Sequence, residues 1–312
     1  MMLETHEQEI LARLDRIIAL LERIAPPQGP TPQAASVTHA IVSPPGSAGQ
    51  DLDTEPAGAP VYDVDPGILA LLEGRGIRIK TVPPRNAADR TIDSLAQYVG
   101  DNYHRVKDLL AKIKRTMQRG DTFVESLQER TQEDVTVNCQ LCTRLHALAF
   151  LAEYKYEKSP KFLIRARSAS LPAAQKFFSG QWLERFIALC VQRVLERRQL
   201  LADSALLANP QIILPNGNDF ELDLIVRVRD DFYWIEAKTG AYQDYVQKYS
   251  RFARILGLDY VHSIMVLTDV SNECCDSLSS LFEMTVTNAE SFEALFAHSV
   301  DCYLSGRAPG GL

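Results

Sequence analysis

Helical and extended segments alternate between residues 171 and 303, and this alternation limits the possible folds more than any other feature of the chain. A helical pattern surrounds Trp182-Leu183-Glu184 and continues to about Leu201. Extended segments follow near residues 211–214, 221–229 and 232–238; then come a helix at 242–256 that ends at Gly257, a strand at 261–268, a short helix, a strand at 284–287 and a helix from Ala289. This α-β-β-β-α-β-α-β-α order predicts an α/β domain with a mixed sheet flanked by helices.

The region before it, residues 67–170, is mostly helical and then extended. Gly100 separates two helical patterns, and Thr122 with Glu125 matches a capping box, which predicts another helix start. The predicted helices span 91–99, 101–118 and 133–152, and the predicted hairpin pairs residues 154–157 with 162–167 around Ser159-Pro160. Helices followed by a two-stranded hairpin are typical of a winged helix, and such domains bind either nucleic acid or protein.

The N-terminal segment, residues 1–25, has a coiled-coil heptad. Its apolar residues alternate in steps of four and three, and they are Ile10, Leu14, Ile17, Leu21 and Ile24, with Leu3 one heptad earlier. Leucine at one core position and isoleucine at the other favours trimers or tetramers, so residues 3–24 are predicted to form a homo-oligomer. The alternative is that this apolar stripe docks on the chain's own globular body. Residues 26–66, rich in Pro, Ala, Gly and Ser, are predicted to be a flexible tether, and residues 304–312 a flexible tail.

Charge is unevenly distributed along the chain. The formal net charge is -7, but residues 101–200 hold 18 basic and 11 acidic side chains, a local net charge of +7. Phosphate contacts depend on the local field, so a basic region in an acidic chain is compatible with nucleic-acid binding. The candidate phosphate-contacting residues are Lys112, Lys114, Arg115, Arg165, Arg167 and, on the helix at 242–256, Lys248.

Apolar runs in this sequence are short, and none approaches the roughly 18 residues that a membrane span requires. No signal peptide is recognisable, so we expect a cytoplasmic protein without a membrane partner. Cys139, Cys142 and His146 invite a zinc interpretation, but a closed zinc site needs four ligands and no second pair has suitable spacing. Both cysteines are better explained as small residues on one helix face.

Asp223 and the run Glu236-Ala237-Lys238 carry the chemistry. Side chains alternate along a strand, so Glu236 and Lys238 share one face, and a hairpin turn at Arg229-Asp230-Asp231 brings Asp223 beside them. Two neighbouring carboxylates repel unless a cation compensates them, and Mg²⁺ or Mn²⁺ prefers such oxygen ligands. Lys238 is predicted to hold the attacking water or to stabilise the phosphorane.

Two further carboxylates are candidates for the same centre. Glu184, on the preceding helix, is predicted to complete the metal shell directly or through water. Glu221 is predicted to share the strand face of Asp223, which makes it the main rival ligand. Trp182 and Trp234 are predicted to be core aromatics, and Tyr249 a packing residue.

The D…E-x-K arrangement resembles the PD-(D/E)XK superfamily of metal-dependent nucleases over roughly residues 175–270. Gly180-Gln181-Trp182-Leu183-Glu184 followed by Glu236-Ala237-Lys238-Thr239-Gly240 resembles the nuclease domain of CRISPR-ancillary effectors that cyclic oligoadenylate activates. The resemblance implies a restriction-endonuclease-like fold, Asp223, Glu236 and the main-chain carbonyl of Ala237 as Mg²⁺ or Mn²⁺ ligands, and a catalytic Lys238. Those effectors carry an N-terminal nucleotide sensor, whereas here that position holds the predicted coiled coil and tether, so control is expected through assembly or a partner.

These observations predict a metal-dependent endonuclease, with Glu184, Asp223, Glu236 and Lys238 as its active centre, acting in defence or DNA processing. DNA is the favoured substrate, and single-stranded DNA or RNA is the alternative. Two other classes remain open at this point: a non-catalytic adaptor that binds nucleic acid or protein with a nuclease-like fold, and a structural protein whose main function is assembly.

Overall fold

A computed structural model describes residues 63–84, 88–240 and 242–306 of the chain, which all belong to one compact unit, Tyr62–Leu312. The predicted coiled-coil helix at residues 1–25 lies outside the described residues, as do most of the predicted tether and the last six residues of the predicted tail. The expectation of a trimer or tetramer through residues 3–24 therefore stays a prediction. Among the described residues, no helix is both long enough and apolar enough to cross a bilayer.

The first part of the described chain is a helical region that carries a small antiparallel sheet. Three strands form this sheet in the order β2-β4-β3, and the predicted hairpin supplies two of them. The elements are α1 (Pro66–Glu73), β1 (Arg78–Thr81), α2 (Asp89–Asp101), α3 (Tyr103–Met117), β2 (Thr122–Ser126), α4 (Gln132–Ala147), β3 (Leu151–Glu157), β4 (Leu163–Ser168) and α5 (Pro172–Lys176). Helices with a hairpin are thus present, and the winged-helix assignment remains a prediction.

Two local predictions in this region are wrong. The break between α2 and α3 falls at Asn102 (φ -120°, ψ 18°), while Gly100 is helical and buried against Phe186. Thr122 and Glu125 do not start a helix, because both lie in β2, which pairs with β4. The capping box is formed nine residues later, where Thr131 and Asp134 cap the N-terminus of α4.

The second part is built around a five-stranded sheet. Its elements are α6 (Trp182–Arg197), β5 (Ser204–Ala208), β6 (Gln211–Ile213), β7 (Asp219–Glu221), β8 (Leu224–Val228), β9 (Asp231–Lys238), α7 (Val246–Leu256), β10 (Ser263–Leu267), α8 (Asn272–Phe282), β11 (Thr285–Asn288) and α9 (Phe292–Leu304). The strand order is β11-β10-β9-β8-β5. Strands β9, β10 and β11 are parallel, and β8 is antiparallel to both β9 and β5, so the predicted mixed sheet is confirmed.

Helices cover both faces of this sheet because its central strands are almost wholly apolar. Trp234 of β9 packs on Phe252 of α7, with ring centroids 4.8 Å apart, and Tyr233 packs on Phe296 of α9 at 5.2 Å. Helix α7 ends at Gly257, whose φ of 70° matches the predicted C-terminal glycine. The resulting hydrophobic core is continuous with that of the helical region.

The predicted strand at residues 221–229 is divided in the structure. Its first part belongs to β7, which pairs with β6, and its second part is β8; β1 completes the small sheet in the order β1-β6-β7. Strand β5 was not predicted. The division matters for function because Asp223 lies in the short connection where the chain leaves one sheet and enters the other.

Candidate active site

The hairpin of β8 and β9 places Asp223 directly beside Glu236. Leu224 pairs with Ile235, so the next position in the antiparallel register aligns Asp223 with Glu236. The main-chain N–H of Asp223 donates to Oε1 of Glu236 at 3.2 Å, which fixes one carboxylate relative to the backbone of the other.

Lys238 joins the two carboxylates. Its Nζ lies 2.9 Å from Oδ2 of Asp223 and 3.1 Å from Oε2 of Glu236. Oδ2 of Asp223 also accepts from the main-chain N–H of Ala237 at 2.8 Å. The side chain of Glu236 is 1% exposed, that of Asp223 is 9% exposed and that of Lys238 is 22% exposed. The group therefore reaches solvent through the lysine and is not sealed inside the protein.

Aromatic side chains form the inner wall of this group. Trp234 is fully buried, as expected of a core aromatic, but its Nε1–H also donates to Oε1 of Glu236 at 3.1 Å. The ring of Tyr249, from α7, lies 5.5 Å from Nζ of Lys238 and is buried, as predicted for a packing residue. These apolar surroundings remove water from the carboxylate of Glu236.

Glu184 approaches the group from α6. That helix follows a π-helical turn, Phe177–Gln181, in which Gly180 has a φ of 149° that favours glycine. A side chain that the sequence did not single out, Asn209, donates from Nδ2 to Oε2 of Glu184 at 2.8 Å, and its main-chain N–H donates to the carbonyl of Asp223 at 3.0 Å. Asn209 has a φ of 52°, a conformation that asparagine tolerates better than most residues. The sequence signal that marks this position is the Asn209-Pro210 dipeptide, which is typical of turns.

Burial and mutual repulsion shift the ionisation of these groups. Burial raises the pKa of Glu236 to about 8, and the charge of Asp223 adds to the effect. Burial, again followed by the charge of Asp223, raises the pKa of Glu184 to about 7. Burial alone would lower the pKa of Lys238, but the charges of Glu236 and Asp223 outweigh it and raise that pKa. Two carboxyl groups thus contact one ammonium, and the third, Glu184, lies close enough to be influenced by the charges of Asp223 and Lys238.

The donor atoms suit a hard divalent cation only in part. Among the described residues, no group of three or more His, Cys, Asp or Glu side chains is placed to hold a metal ion. Oε2 of Glu236, however, is buried and is paired with the ammonium of Lys238 alone. The oxygens of Asp223 and Glu236, the main-chain carbonyl of Ala237 and the nearby Glu184 are the ligand types that Mg²⁺ and Mn²⁺ prefer.

The rival ligand lies apart from the cluster. Glu221 is exposed on β7 and pairs with Gln211, so the prediction that it shares a strand face with Asp223 is wrong. It still contributes to the field at Glu184. Asp219, on the same strand, bonds to Lys80 at 2.7 Å.

The six candidate phosphate-contacting residues differ in their exposure and in their ion pairs. Lys112 forms an ion pair with the buried Glu125, and Arg167 pairs with Glu153 at 2.6 Å. Lys248 is exposed near the cluster, with its Nζ 4.3 Å from the ring centroid of Phe220. The remaining three are exposed in the helical region: Lys114, Arg115 and Arg165.

Comparison with known proteins finds several similar solved structures, of which two are described. Protein VC1899 from Vibrio cholerae is 18% identical, with a TM-score of 0.51, over 78% of this chain and 62% of that chain. Can2 from Sulfobacillus thermosulfidooxidans, solved in complex with cyclic tetra-adenylate, is 13% identical, with a TM-score of 0.49, over 75% of this chain and 60% of that chain. No family model and no curated protein matches the chain.

The similarity to VC1899 concerns the fold alone. It shows that the α/β arrangement described above occurs in a solved protein. The match spans less than two thirds of the length of either solved chain.

Proposed function

We propose that this chain is a metal-dependent nuclease that hydrolyses phosphodiester bonds of nucleic acid. The observation that carries the proposal is the cluster of Asp223, Glu236 and Lys238 at the end of β9, where two carboxylates share an ammonium that reaches solvent. The spacing of these residues is that of the D…E-x-K motif, and the sheet on which they lie is mixed, as the resemblance to PD-(D/E)XK nucleases implies.

In this proposal, Asp223, Glu236 and the carbonyl of Ala237 would hold one Mg²⁺ or Mn²⁺ ion, and Glu184 would complete its shell directly or through water. The ion would supply a lowered pKa of a coordinated water and positive charge beside the scissile phosphate. Burial and the charge of Asp223 raise the pKa of Glu236, so a further positive charge beside its carboxylate would stabilise the ionised form, which is consistent with this role.

Lys238 supplies the cation of the proposed centre. Its ammonium contacts Asp223 and Glu236. With those carboxylates compensated, the ammonium can orient the attacking water or stabilise the charge that develops on the phosphorane. Glu184, whose pKa of about 7 lies near neutrality, can exchange a proton with solvent at the same centre.

Basic side chains supply the substrate-binding surface. Lys248 lies on α7 next to the cluster, and the exposed Lys114, Arg115 and Arg165 extend the basic surface in the helical region, where the winged-helix assignment would give them a nucleic-acid contact. DNA is the favoured substrate, and homo-oligomers formed by residues 3–24 would present several active sites to it. The proposed setting is defence or DNA processing.

The direct test is cleavage. Purified full-length chain is incubated with plasmid, linear duplex, single-stranded DNA and RNA, each with Mg²⁺, Mn²⁺ or a chelator. We expect cleavage with at least one metal and none with the chelator. Glu236→Gln and Lys238→Ala should each lower the rate by at least about 100-fold.

Matched substitutions at exposed positions outside the cluster, Glu129→Ala and Lys176→Ala, should leave the rate unchanged. Thermal unfolding of each variant establishes that the loss is not caused by misfolding. Full cleavage by both cluster variants would reject the assigned site.

A non-catalytic adaptor is the second candidate, and the ion pairs of Lys238 favour it. Its ammonium already compensates Asp223 and Glu236, and a fold can keep such a group purely for structure. An adaptor predicts binding of nucleic acid or protein without cleavage under any of the conditions above.

A further inference from the structure

An exposed aromatic ring stacks on Tyr249, outside the cluster, and the proposed reaction does not use it. Tyr245 ends the short 3₁₀ turn Gln243–Tyr245 and directly precedes α7. Tyr245 is 41% exposed. We propose that Tyr245 is a base-stacking subsite for a single-stranded nucleic acid, a proposal that rests on the proposed nuclease function.

The first support is a continuous stack of groups from solvent to the cluster. The ring of Tyr245 lies 5.9 Å from that of Tyr249, with an interplanar angle of 16°, the geometry of an offset stack. Tyr249 is buried, and its ring lies 5.5 Å from Nζ of Lys238. The inner face of Tyr245 is therefore occupied by Tyr249, and the ring extends outward from the lysine.

The second support is the position of a cation on the same face of the helix. Tyr245, Lys248 and Tyr249 are three and four residues apart, a spacing that brings side chains together on one helical face. Lys248 is exposed, with its Nζ 4.3 Å from the ring centroid of Phe220. The first turn of α7 has no acidic residue, and a helix N-terminus favours phosphate.

These features fit an unpaired nucleotide. A base stacked on Tyr245 would bring its own sugar-phosphate to the helix face that carries Lys248. Aromatic rings beside a basic groove are the common means of binding single strands, because every base has a π-face. A base inside a duplex is already stacked on both faces and cannot make this contact. The subsite thus selects single-stranded DNA or RNA, or an unpaired segment within a duplex.

The test measures binding under conditions where cleavage cannot occur. Fluorescein-labelled 12-nucleotide strands are titrated in a chelator and followed by anisotropy. The probes are a mixed-sequence single strand, an abasic strand of the same length and a blunt duplex. Tyr245→Ala should raise the Kd for the mixed-sequence strand by about 5- to 100-fold, the effect of losing one stacked base.

The controls separate stacking from other contacts. Tyr245→Phe keeps the ring and should bind within about twofold of the unmodified chain, whereas Tyr245→Leu keeps apolar bulk and should weaken binding as Ala does. Tyr260→Ala, at a ring that is 43% exposed elsewhere, should change nothing. The Kd values for the abasic strand and for the duplex should be the same with and without Tyr245.

Any of four results would overturn the subsite: unchanged binding by Tyr245→Ala, full binding by Tyr245→Leu, an equal loss on the abasic strand, or absence of binding to any strand. Because the assay needs no cleavage, its failure is distinct from that of the nuclease proposal. A chain that cuts nucleic acid with an indifferent Tyr245 loses the subsite alone, and a chain that binds through Tyr245 without cutting loses the nuclease.

Discussion

At the scale of single residues, the centre shows how burial and charge oppose each other. Glu236 accepts hydrogen bonds from the backbone N–H of Asp223 and from Nε1 of Trp234, and Lys238 lies 3.1 Å away. These contacts do not offset the loss of water, since the pKa of Glu236 still rises to about 8. The group therefore costs stability at neutral pH, a cost that functional sites commonly carry.

The pH dependence of stability follows from this shift. The pKa of Glu236 is about 8 in the folded chain and about 4.5 when unfolded, so the folded state holds the proton more tightly. The stabilising effect of that proton is full below about pH 4.5, decreases as pH rises, and is gone above about pH 8. Glu236→Gln lacks a titrating group, so its unfolding free energy relative to the natural chain should rise by at least about 1 kcal/mol between pH 5 and pH 8.

Denaturant unfolding at both pH values, with a chelator present, measures this difference. Glu129→Gln, at an exposed position, is the matched control and should show no change with pH. A constant difference between Glu236→Gln and the natural chain at the two pH values would mean that Glu236 ionises normally in the folded state.

At the scale of elements, contacts between distant segments override local signals. The Thr-x-x-Glu pattern at Thr122 and Glu125 matches a helix start, yet these residues form β2 because Phe123 and Glu125 face partners on β4, about forty residues away in the sequence. Glycine often interrupts helices, yet Gly100 is helical because α2 packs closely on α6. Both errors arise where tertiary packing decides and local propensity does not.

Because α2 packs closely on α6, we expect Gly100→Ala to destabilise the protein, although alanine favours a helix. Alanine in place of a helical glycine normally stabilises by about 1 kcal/mol. A Cβ at Gly100 would lie 2.1 Å from Cδ2 of Phe186, which is far closer than atoms approach, so the helices must separate. Gly100→Ala should instead destabilise by about 1–3 kcal/mol in denaturant unfolding.

Ser94→Ala tests the same helix at an exposed position and should be neutral or slightly stabilising. If Gly100→Ala stabilised the chain as Ser94→Ala does, the contact between α2 and α6 would be looser than the structure shows.

At the scale of the whole molecule, the helical region and the α/β region share one continuous core. Tyr103 of α3 stacks on Trp182 of α6 at 5.2 Å, and Phe150 contacts Phe177 at 5.5 Å. These aromatic contacts therefore cross the boundary predicted between residues 170 and 171. The division of the chain into two domains at this boundary stays a prediction. The basic helical region is held close to the acidic cluster by the same contacts.

Assembly is the prediction that belongs to this scale. The heptad of residues 3–24 predicts a trimer or tetramer, because leucine and isoleucine alternate at its two core positions. Light scattering after gel filtration should give three or four times the monomer mass for the full chain. A chain without residues 1–25 should have the mass of a monomer. Ile17→Asp should reproduce the truncation, since a charge in the seam is not tolerated, while Gln8→Asp should not. An unchanged mass in both altered chains would exclude the heptad as the oligomeriser.

The sequence alone determined the class of fold and the composition of the centre. Periodicity predicts the mixed α/β order, and alternation along one strand places Glu236 and Lys238 on the same face, because both properties depend on near neighbours in the chain. Only the tertiary structure decided that Asn209 holds Glu184, that Glu221 lies on another strand and that Tyr245 is stacked outside Tyr249. Those arrangements depend on segments that meet only after the sheet and helices pack, and no local pattern carries that information.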